Sequence, residues 1–172
     1  MSQDMIEKKA PNNVDSSFPN YLQQEGAERL WACYQCAKCT SGCPLSRLDG
    51  DYNPRLFIRA AGLGLKEWVL QNESLWYCLL CYTCQEECPE DARPTEVLTA
   101  LKNEAFRQGF APAPLAMGAK KLMEESRIYL VDDFLNEERE DEGLPPLDED
   151  EEVLEEVFAI TGLKERLEKG VD

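Results

Sequence analysis

The run CYQCAKCTSGCP at residues 33–44 recurs as CLLCYTCQEECP at residues 78–89, and these two stretches decide the fold. Each run spaces its thiols C-x2-C-x2-C-x3-C and places a proline after the fourth cysteine. Together they contain all eight cysteines of the chain. Thiolate sulfur is a soft ligand that suits iron-sulfur clusters, zinc or copper(I). The repeated run therefore predicts a protein built around metal centres held by cysteine.

The spacing narrows this choice, because C-x2-C-x2-C-x3-C-P is the run of bacterial ferredoxins. In those proteins three thiols hold one 4Fe-4S cluster and the fourth thiol ligates the other cluster. We therefore expect two 4Fe-4S clusters with crossed ligand sets, which tie the two halves of the repeat together. One set is Cys33, Cys36, Cys39 and Cys88, and the other is Cys78, Cys81, Cys84 and Cys43.

Zinc is the main alternative metal. Zinc sites built from cysteine usually combine two C-x2-C pairs or add histidine, and this chain has no histidine. A zinc-stabilised adaptor with a partner-recruiting acidic tail is the corresponding function of another class. Disulfides would need a secreted chain, whereas the N-terminal run MSQDMIEKKAPNN lacks the apolar stretch of a signal peptide.

The charge of the chain limits its partners. Its 172 residues carry 34 acidic and 18 basic side chains, for a net charge of −16. Such a field disfavours nucleic acid and anionic membrane surfaces. No window approaches the roughly 18 consecutive apolar residues of a membrane span. We therefore expect a cytoplasmic protein that binds no nucleic acid and has no direct membrane span.

The charge is also uneven, and this predicts three segments. Residues 132–156 hold fourteen acidic residues and one basic residue. We expect a flexible N-terminal arm at residues 1–20, an α-helical two-cluster domain at residues 21–131, and an acidic C-terminal extension at residues 132–172. The first half of the extension is expected to be mobile or extended. Residues 150–160 are expected to form a docking helix for a neighbouring subunit, because Val153, Leu154, Val157 and Phe158 form one apolar stripe.

Helix signals dominate between and after the two runs, and sustained strand alternation is absent from the sequence. Asn53 and Pro54 form a cap and first-turn pair that opens a helix. Its expected apolar face contains Leu56, Phe57, Ala60 and Leu63. Further helices are expected at residues 66–71, from Pro94 to a stop at Gly109, and at residues 115–125, with a short extended piece at residues 128–131. The predicted fold class is all-α.

Two expectations concern the surroundings of the clusters. Leu30-Trp31 precedes the first run as Leu75-Trp76 precedes the second, so the tryptophans are expected to pack over the clusters and exclude water. Lys38 lies inside the first run, and a positive charge favours the more negative reduced state of a cluster. The cluster on Cys33 is therefore expected to have the higher potential.

The runs and their flanking helices resemble the C subunit of heterodisulfide reductase. The resemblance rests on CYQCAKCTSGCP, NPRLFIR, LWYCLLCYTCQEECP and PTEVLTALKNEA, which lie within about residues 30–110. It implies an α-helical ferredoxin with two 4Fe-4S clusters. It further implies electron relay between an A-like partner, which bears flavin and clusters, and a B-like partner, which holds the disulfide-reducing or sulfur-converting centre.

The resemblance leaves the pathway open, because related proteins occur in sulfur-oxidising assemblies and beside quinone- or fumarate-linked reductases. No catalytic residue is expected in this chain, which has no histidine, no spare thiol and no Gly-rich phosphate loop. One position departs from the family: Ala37 stands where glycine is expected. Alanine suits that position unless its φ is positive.

Overall fold

The structure is a computed structural model that describes residues 13–50, 52–125, 131–147 and 151–165. Every regular element in this part of the chain is helical, so the all-α prediction is confirmed there. None of the described helices has the length and apolar character needed to cross a membrane. The predicted extended piece at residues 128–131 lies largely outside the described residues, as do the first twelve residues of the predicted arm.

Ten α-helices occur in the described residues, and a short 3-10 turn precedes each cysteine run at Leu30–Ala32 and Glu73–Tyr77. The helices are α1 (Phe18–Gln24), α2 (Lys38–Ser41), α3 (Pro44–Leu48), α4 (Pro54–Gly62), α5 (Lys66–Leu70), α6 (Thr83–Glu86), α7 (Pro94–Arg107), α8 (Ala113–Glu125), α9 (Asp133–Asp141) and α10 (Glu151–Thr161).

The chain divides into two compact units, and the first of them is Met1–Phe106. Its apolar core is centred on α4, which packs against α1, α2 and α5. Buried side chains of α7 belong to the same core. Residues without exposed surface include Leu22, Ala61, Val69, Leu70, Leu75, Leu98 and Leu101. Both cysteine runs therefore lie in the unit that contains this core.

Helix α4 begins as predicted, because the Asn53 side chain accepts a hydrogen bond from the Leu56 backbone N–H at 3.1 Å. Its predicted apolar face is only partly correct. Phe57 and Ala60 are buried, together with Ile58 and Ala61, but Leu56 and Leu63 are 40% and 51% exposed. The buried face is rotated because α4 packs against several neighbours at once.

The predicted arm ends before residue 20, because α1 begins at Phe18 and Phe18 is buried. Asp15 holds the chain in place just before this helix by hydrogen bonds. Its carboxylate accepts hydrogen bonds from the backbone and hydroxyl of Ser17, and its own N–H donates to the carbonyl of Gly64 at 2.9 Å. The hydrophobic pattern had missed α1, since a helix of seven residues carries too few apolar positions to show a period.

The expected symmetric pair of tryptophans is not found. Leu30 and Leu75 are both buried, which agrees with a repeat that begins upstream of the cysteines. Trp76 is partly buried against the core, whereas Trp31 is 59% exposed and donates a hydrogen bond to Gln23. Trp31 therefore does not share the surroundings of Trp76, and shielding of a cluster by Trp31 stays a prediction.

The second compact unit, Arg107–Asp172, contains α8, α9 and α10. Helix α10 packs against α8, and its Phe158 is 9% exposed. The predicted helix at residues 150–160 is confirmed in position, although Val157 on its expected apolar stripe is 44% exposed. The unit begins earlier than the extension predicted at residues 132–172, because α8 belongs with α10.

The expectation of extended chain is wrong for α9. The Asp132 side chain caps this helix by accepting from the Leu135 N–H at 2.9 Å. At its other end the Leu144 N–H donates to the carbonyl of Arg139, and Gly143 has a φ of +72°. These hydrogen bonds satisfy backbone groups at both ends of α9 and stabilise it. The prediction of extended chain had considered only the acidic composition and not these caps.

Candidate iron-sulfur site

The two cysteine loops share an unusual backbone. Gln35 and Ala37 have φ values of +67° and +68°, and the equivalent residues Leu80 and Tyr82 have values of +52° and +62°. None of the four is glycine. Left-handed residues in such a loop turn successive backbone N–H groups toward one side and form a concave binding surface for anions, including iron-sulfur clusters. Alanine was expected to suit position 37 unless its φ was positive. The φ is positive, so alanine carries backbone strain there.

The thiols repeat the same exposure pattern in both runs. The first thiol of each run, Cys33 or Cys78, is half-buried, the second is exposed and the third is buried. Cys36 and Cys81 are the exposed thiols. Each loop therefore presents one thiol at the surface while another is held in the interior.

One cavity contains thiols of both runs. It is lined by Cys78, Cys81 and Cys84 from the second run and by Cys43 from the first. These are the four cysteines of the second predicted ligand set. Its other lining residues are Pro44, Leu45, Tyr52, Pro54, Leu79, Tyr82, Thr95 and Leu98. The walls beside the thiols are mainly apolar, which lowers the local dielectric and limits the access of water.

The thiols of this cavity act on one another electrostatically. Burial raises the pKa of Cys84, and the nearby thiols of Cys78, Cys81 and Cys43 raise it further. The Thr95 hydroxyl lies 3.3 Å from the Cys84 sulfur and opposes this shift. The neutral thiol of Cys84 is therefore favoured in the absence of metal. Ligation must remove its proton, because a thiolate is the metal ligand.

The first predicted set shows matching neighbours. Burial raises the pKa of Cys39 to about 11, and the charges of Cys33, of Cys84 from the second set and of Cys36 raise it further. The Tyr34 pKa is raised by a hydrogen bond to Cys36, by the charge of Cys36 and, to a smaller extent, by Cys88 of the second run. The structure therefore places Cys88 in the neighbourhood of the first run.

Two nitrogen donors approach sulfurs of this first set. Gln35 Nε2 donates to the Cys33 sulfur at 3.1 Å, and the Ala92 backbone N–H donates to the Cys88 sulfur at 3.3 Å. Hydrogen bonds of this kind stabilise charge on a cysteine sulfur.

The segments before the fourth cysteines interlock. Helices α2 and α6 pack against each other. A Cβ atom at Gly42 would collide with the carboxylate of Glu87, and these residues directly precede Cys43 and Cys88. The Glu87 carboxylate is the flexible end of a side chain and can move aside, so this contact shows that the two runs lie close together and not that glycine is required at position 42.

One face of α7 supplies site residues that sequence reasoning missed. Thr95 and Leu98 line the cavity, and Lys102 Nζ donates to the Cys78 carbonyl at 2.8 Å. Burial lowers the pKa of Lys102, while the charge of Cys78 opposes that shift. The spacing i, i+3, i+7 places the three residues on one side of a helix, and it was available in the sequence.

These surroundings fit a 4Fe-4S cluster, because soft thiols, loops with left-handed backbone and apolar walls suit such a group. Within the described ranges, no three Cys, Asp or Glu side chains are grouped closely enough to hold a metal ion. Ligation by the individual thiols stays a prediction.

Comparison with known proteins agrees with this chemistry. The profile of the 4Fe-4S dicluster domain family matches residues 19–92. The C subunit of the H(2):CoB-CoM heterodisulfide,ferredoxin reductase of Methanothermobacter marburgensis is 35% identical over 108 residues, which are 62% of this chain and 58% of that protein. This chain thus covers less than two thirds of that relative.

Other relatives are covered more fully. The iron-sulfur C subunit of the CoB--CoM heterodisulfide reductase of Methanopyrus kandleri is 33% identical over 148 residues, which are 84% of this chain and 77% of that protein. The C subunit of the Ferredoxin:CoB-CoM heterodisulfide reductase of Methanosarcina mazei is 35% identical over 143 residues, which are 81% of this chain and 87% of that protein. With a 4Fe-4S dicluster domain and relatives matched over most of their length, the chain belongs to the family of heterodisulfide reductase C subunits.

Proposed function

We propose that this chain is an electron-transfer subunit that carries two 4Fe-4S clusters on crossed ligand sets. It relays electrons between an A-like partner with flavin and iron-sulfur centres and a B-like partner that reduces a disulfide or converts sulfur. The observation that carries the proposal is the cavity in which Cys43 of the first run joins Cys78, Cys81 and Cys84 of the second.

The contribution of the chain is binding, shielding and orientation. Bound clusters supply one-electron storage and transfer. The left-handed loop residues form a concave backbone surface suited to an anionic cluster, and the apolar walls limit the access of water. The exposed thiols Cys36 and Cys81 leave one edge of each site near the surface. Two sites joined through their fourth cysteines, each with an accessible edge, suit a relay between two partners.

The crossed ligation is tested by a matched pair of variants in anaerobically reconstituted protein. Cys43→Ser should damage the cluster of the second run, and Cys88→Ser should damage that of the first. Electron paramagnetic resonance spectra of Cys33→Ser and Cys78→Ser identify the two signals. Cys43→Ser should therefore resemble Cys78→Ser. If it resembles Cys33→Ser instead, the fourth ligands are not exchanged and the ligand sets are wrong.

Two further measurements test the class of function and the partners. Broad visible absorbance that bleaches with dithionite supports clusters, whereas a zinc-stabilised adaptor has no redox-active band. Mass spectrometry of co-purified proteins should find A-like and B-like partners. A sulfur-oxidising or quinone- or fumarate-linked partner set would retain the relay but assign it to another pathway.

A further inference from the structure

Tyr52 is the largest fully buried side chain beside the second site. It is 1% exposed and lies between α3 and α4, where its ring packs 5.9 Å from that of Phe57. Its backbone carbonyl accepts a hydrogen bond from the Ser46 hydroxyl at 2.8 Å. The side chain lines the cavity that contains Cys43 and Cys78. Packing and backbone contacts thus hold the ring at the wall of the cavity.

The hydroxyl group of this buried ring lacks a satisfactory partner. Among the described residues, its oxygen is buried without a well-formed hydrogen bond. Burial raises the Tyr52 pKa, and the charges of Cys78, Cys43 and Cys84 raise it further. The neighbouring groups that act on the hydroxyl are therefore thiols of the second set. A buried hydroxyl without a partner costs about 1–3 kcal/mol, so an acceptor is expected when the site is filled.

The first site lacks a buried hydroxyl at the corresponding place before a helix, although Gln35 Nε2 donates to the Cys33 sulfur there. Tyr52 stands two residues before Pro54 at the start of α4, and Ala92 stands two residues before Pro94 at the start of α7. Both residues are buried, but the alanine side chain has only a methyl group. The repeat thus places a side-chain donor beside the second site alone at this position.

We infer that the Tyr52 hydroxyl donates a hydrogen bond to sulfur of the cluster held by Cys43, Cys78, Cys81 and Cys84, and thereby raises the reduction potential of that cluster. A donor stabilises the reduced state more, because that state carries more negative charge. The inference rests on the proposed clusters. It opposes the order expected from Lys38, which is exposed, whereas Lys102 is half-buried beside Cys78.

The test is a redox titration of reconstituted Tyr52→Phe, followed by electron paramagnetic resonance. A bond that favours the reduced state by a factor of ten corresponds to about 59 mV for a one-electron couple. We expect the potential of the second cluster to fall by about 59 mV, which is the tenfold effect, while the potential of the first cluster stays unchanged. A hyperfine coupling to an exchangeable proton should also disappear from the second signal.

The control is Tyr21→Phe, which removes a hydroxyl that donates to Glu104 within the same unit. It should lower stability and leave both potentials unchanged. Replacement of Tyr52 by 3-fluorotyrosine makes the donor more acidic and should raise the potential of the second cluster. This variant gives the answer even if Tyr52→Phe fails to assemble.

Iron content separates the inference from the proposed function. Two clusters require about eight irons per chain. Wild-type protein with that content, but with an unchanged potential and proton coupling in Tyr52→Phe, would overturn the role of Tyr52 and leave the clusters standing. Wild-type protein that binds zinc and forms no cluster would overturn both.

Discussion

Ala37→Gly should make the holoprotein more resistant to cluster loss. Ala37 has a φ of +68° and a ψ of +8°, in the left-handed region. That conformation costs an alanine about 1–2 kcal/mol relative to right-handed geometry, and glycine does not incur this cost. The glycine chain loses about 0.4–1 kcal/mol through the greater entropy of its unfolded state. The net gain is therefore about 0.5–1 kcal/mol.

The assay is the rate at which visible absorbance disappears in guanidinium under anaerobic conditions. If the first loop unwraps in the slow step, a gain of about 1 kcal/mol slows cluster loss about fivefold. Ala61→Gly is the matched control, because Ala61 is fully buried in the interior of α4. There glycine costs about 1 kcal/mol in helix propensity and removes core contact, so cluster loss should accelerate.

The reasoning fails if Ala37→Gly loses its clusters as fast as wild type or faster. That result would mean that the methyl group of Ala37 contributes packing that exceeds the backbone strain. A slower rate in both variants would instead indicate a general effect of glycine on the assay.

Two other predictions concern the apo chain and the second unit. Burial raises the pKa of Cys39 from 9.0 to about 11, so this thiol stabilises the folded apo chain below pH 9. That contribution should be lost as the pH rises toward 11, and circular dichroism should show the thermal midpoint falling over this range. In Cys39→Ser the thermal midpoint should depend less on pH. Phe158→Ala should cost about 3–5 kcal/mol and speed amide exchange in α10 without changing either cluster, since Phe158 packs α10 against α8. By contrast, Ile160→Asp, at a side chain 79% exposed, should leave exchange unchanged but weaken recovery of a partner protein if α10 is a docking helix; undiminished recovery contradicts docking there.

The parts of the fold that sequence reasoning predicted are those with local signals. Pro54 and Pro94 lie at the first helical positions, and the bounds of α4 and α7 follow from them. The all-α class was predicted because helix-start signals of this kind recur along the sequence and sustained strand alternation is absent. Val97, Leu98, Leu101 and Ala105 recur at helical spacing in the sequence, and all four are buried in α7.

Other features depended on contacts distant in the sequence. The rotated face of α4 depends on three partners that its own period cannot reveal. Tyr52 was not identified because an isolated tyrosine before a helix carries no motif, and only the fold places it beside Cys43. The sign of φ at Ala37 was undetermined, since alanine in a loop gives no direct indication of left-handed backbone.

The two cysteine loops gain little stability from their own helices. Helices α2 and α6 each contain four residues, which is too short to be stable without tertiary support. Both follow a left-handed residue that is not glycine, so each begins with backbone strain. The core of α1, α4 and α5 packs without either loop supplying most of its apolar residues. Ligation by cysteines from both runs would therefore stabilise the loops chiefly, and removal of iron should loosen α2 and α6 before it disrupts the core.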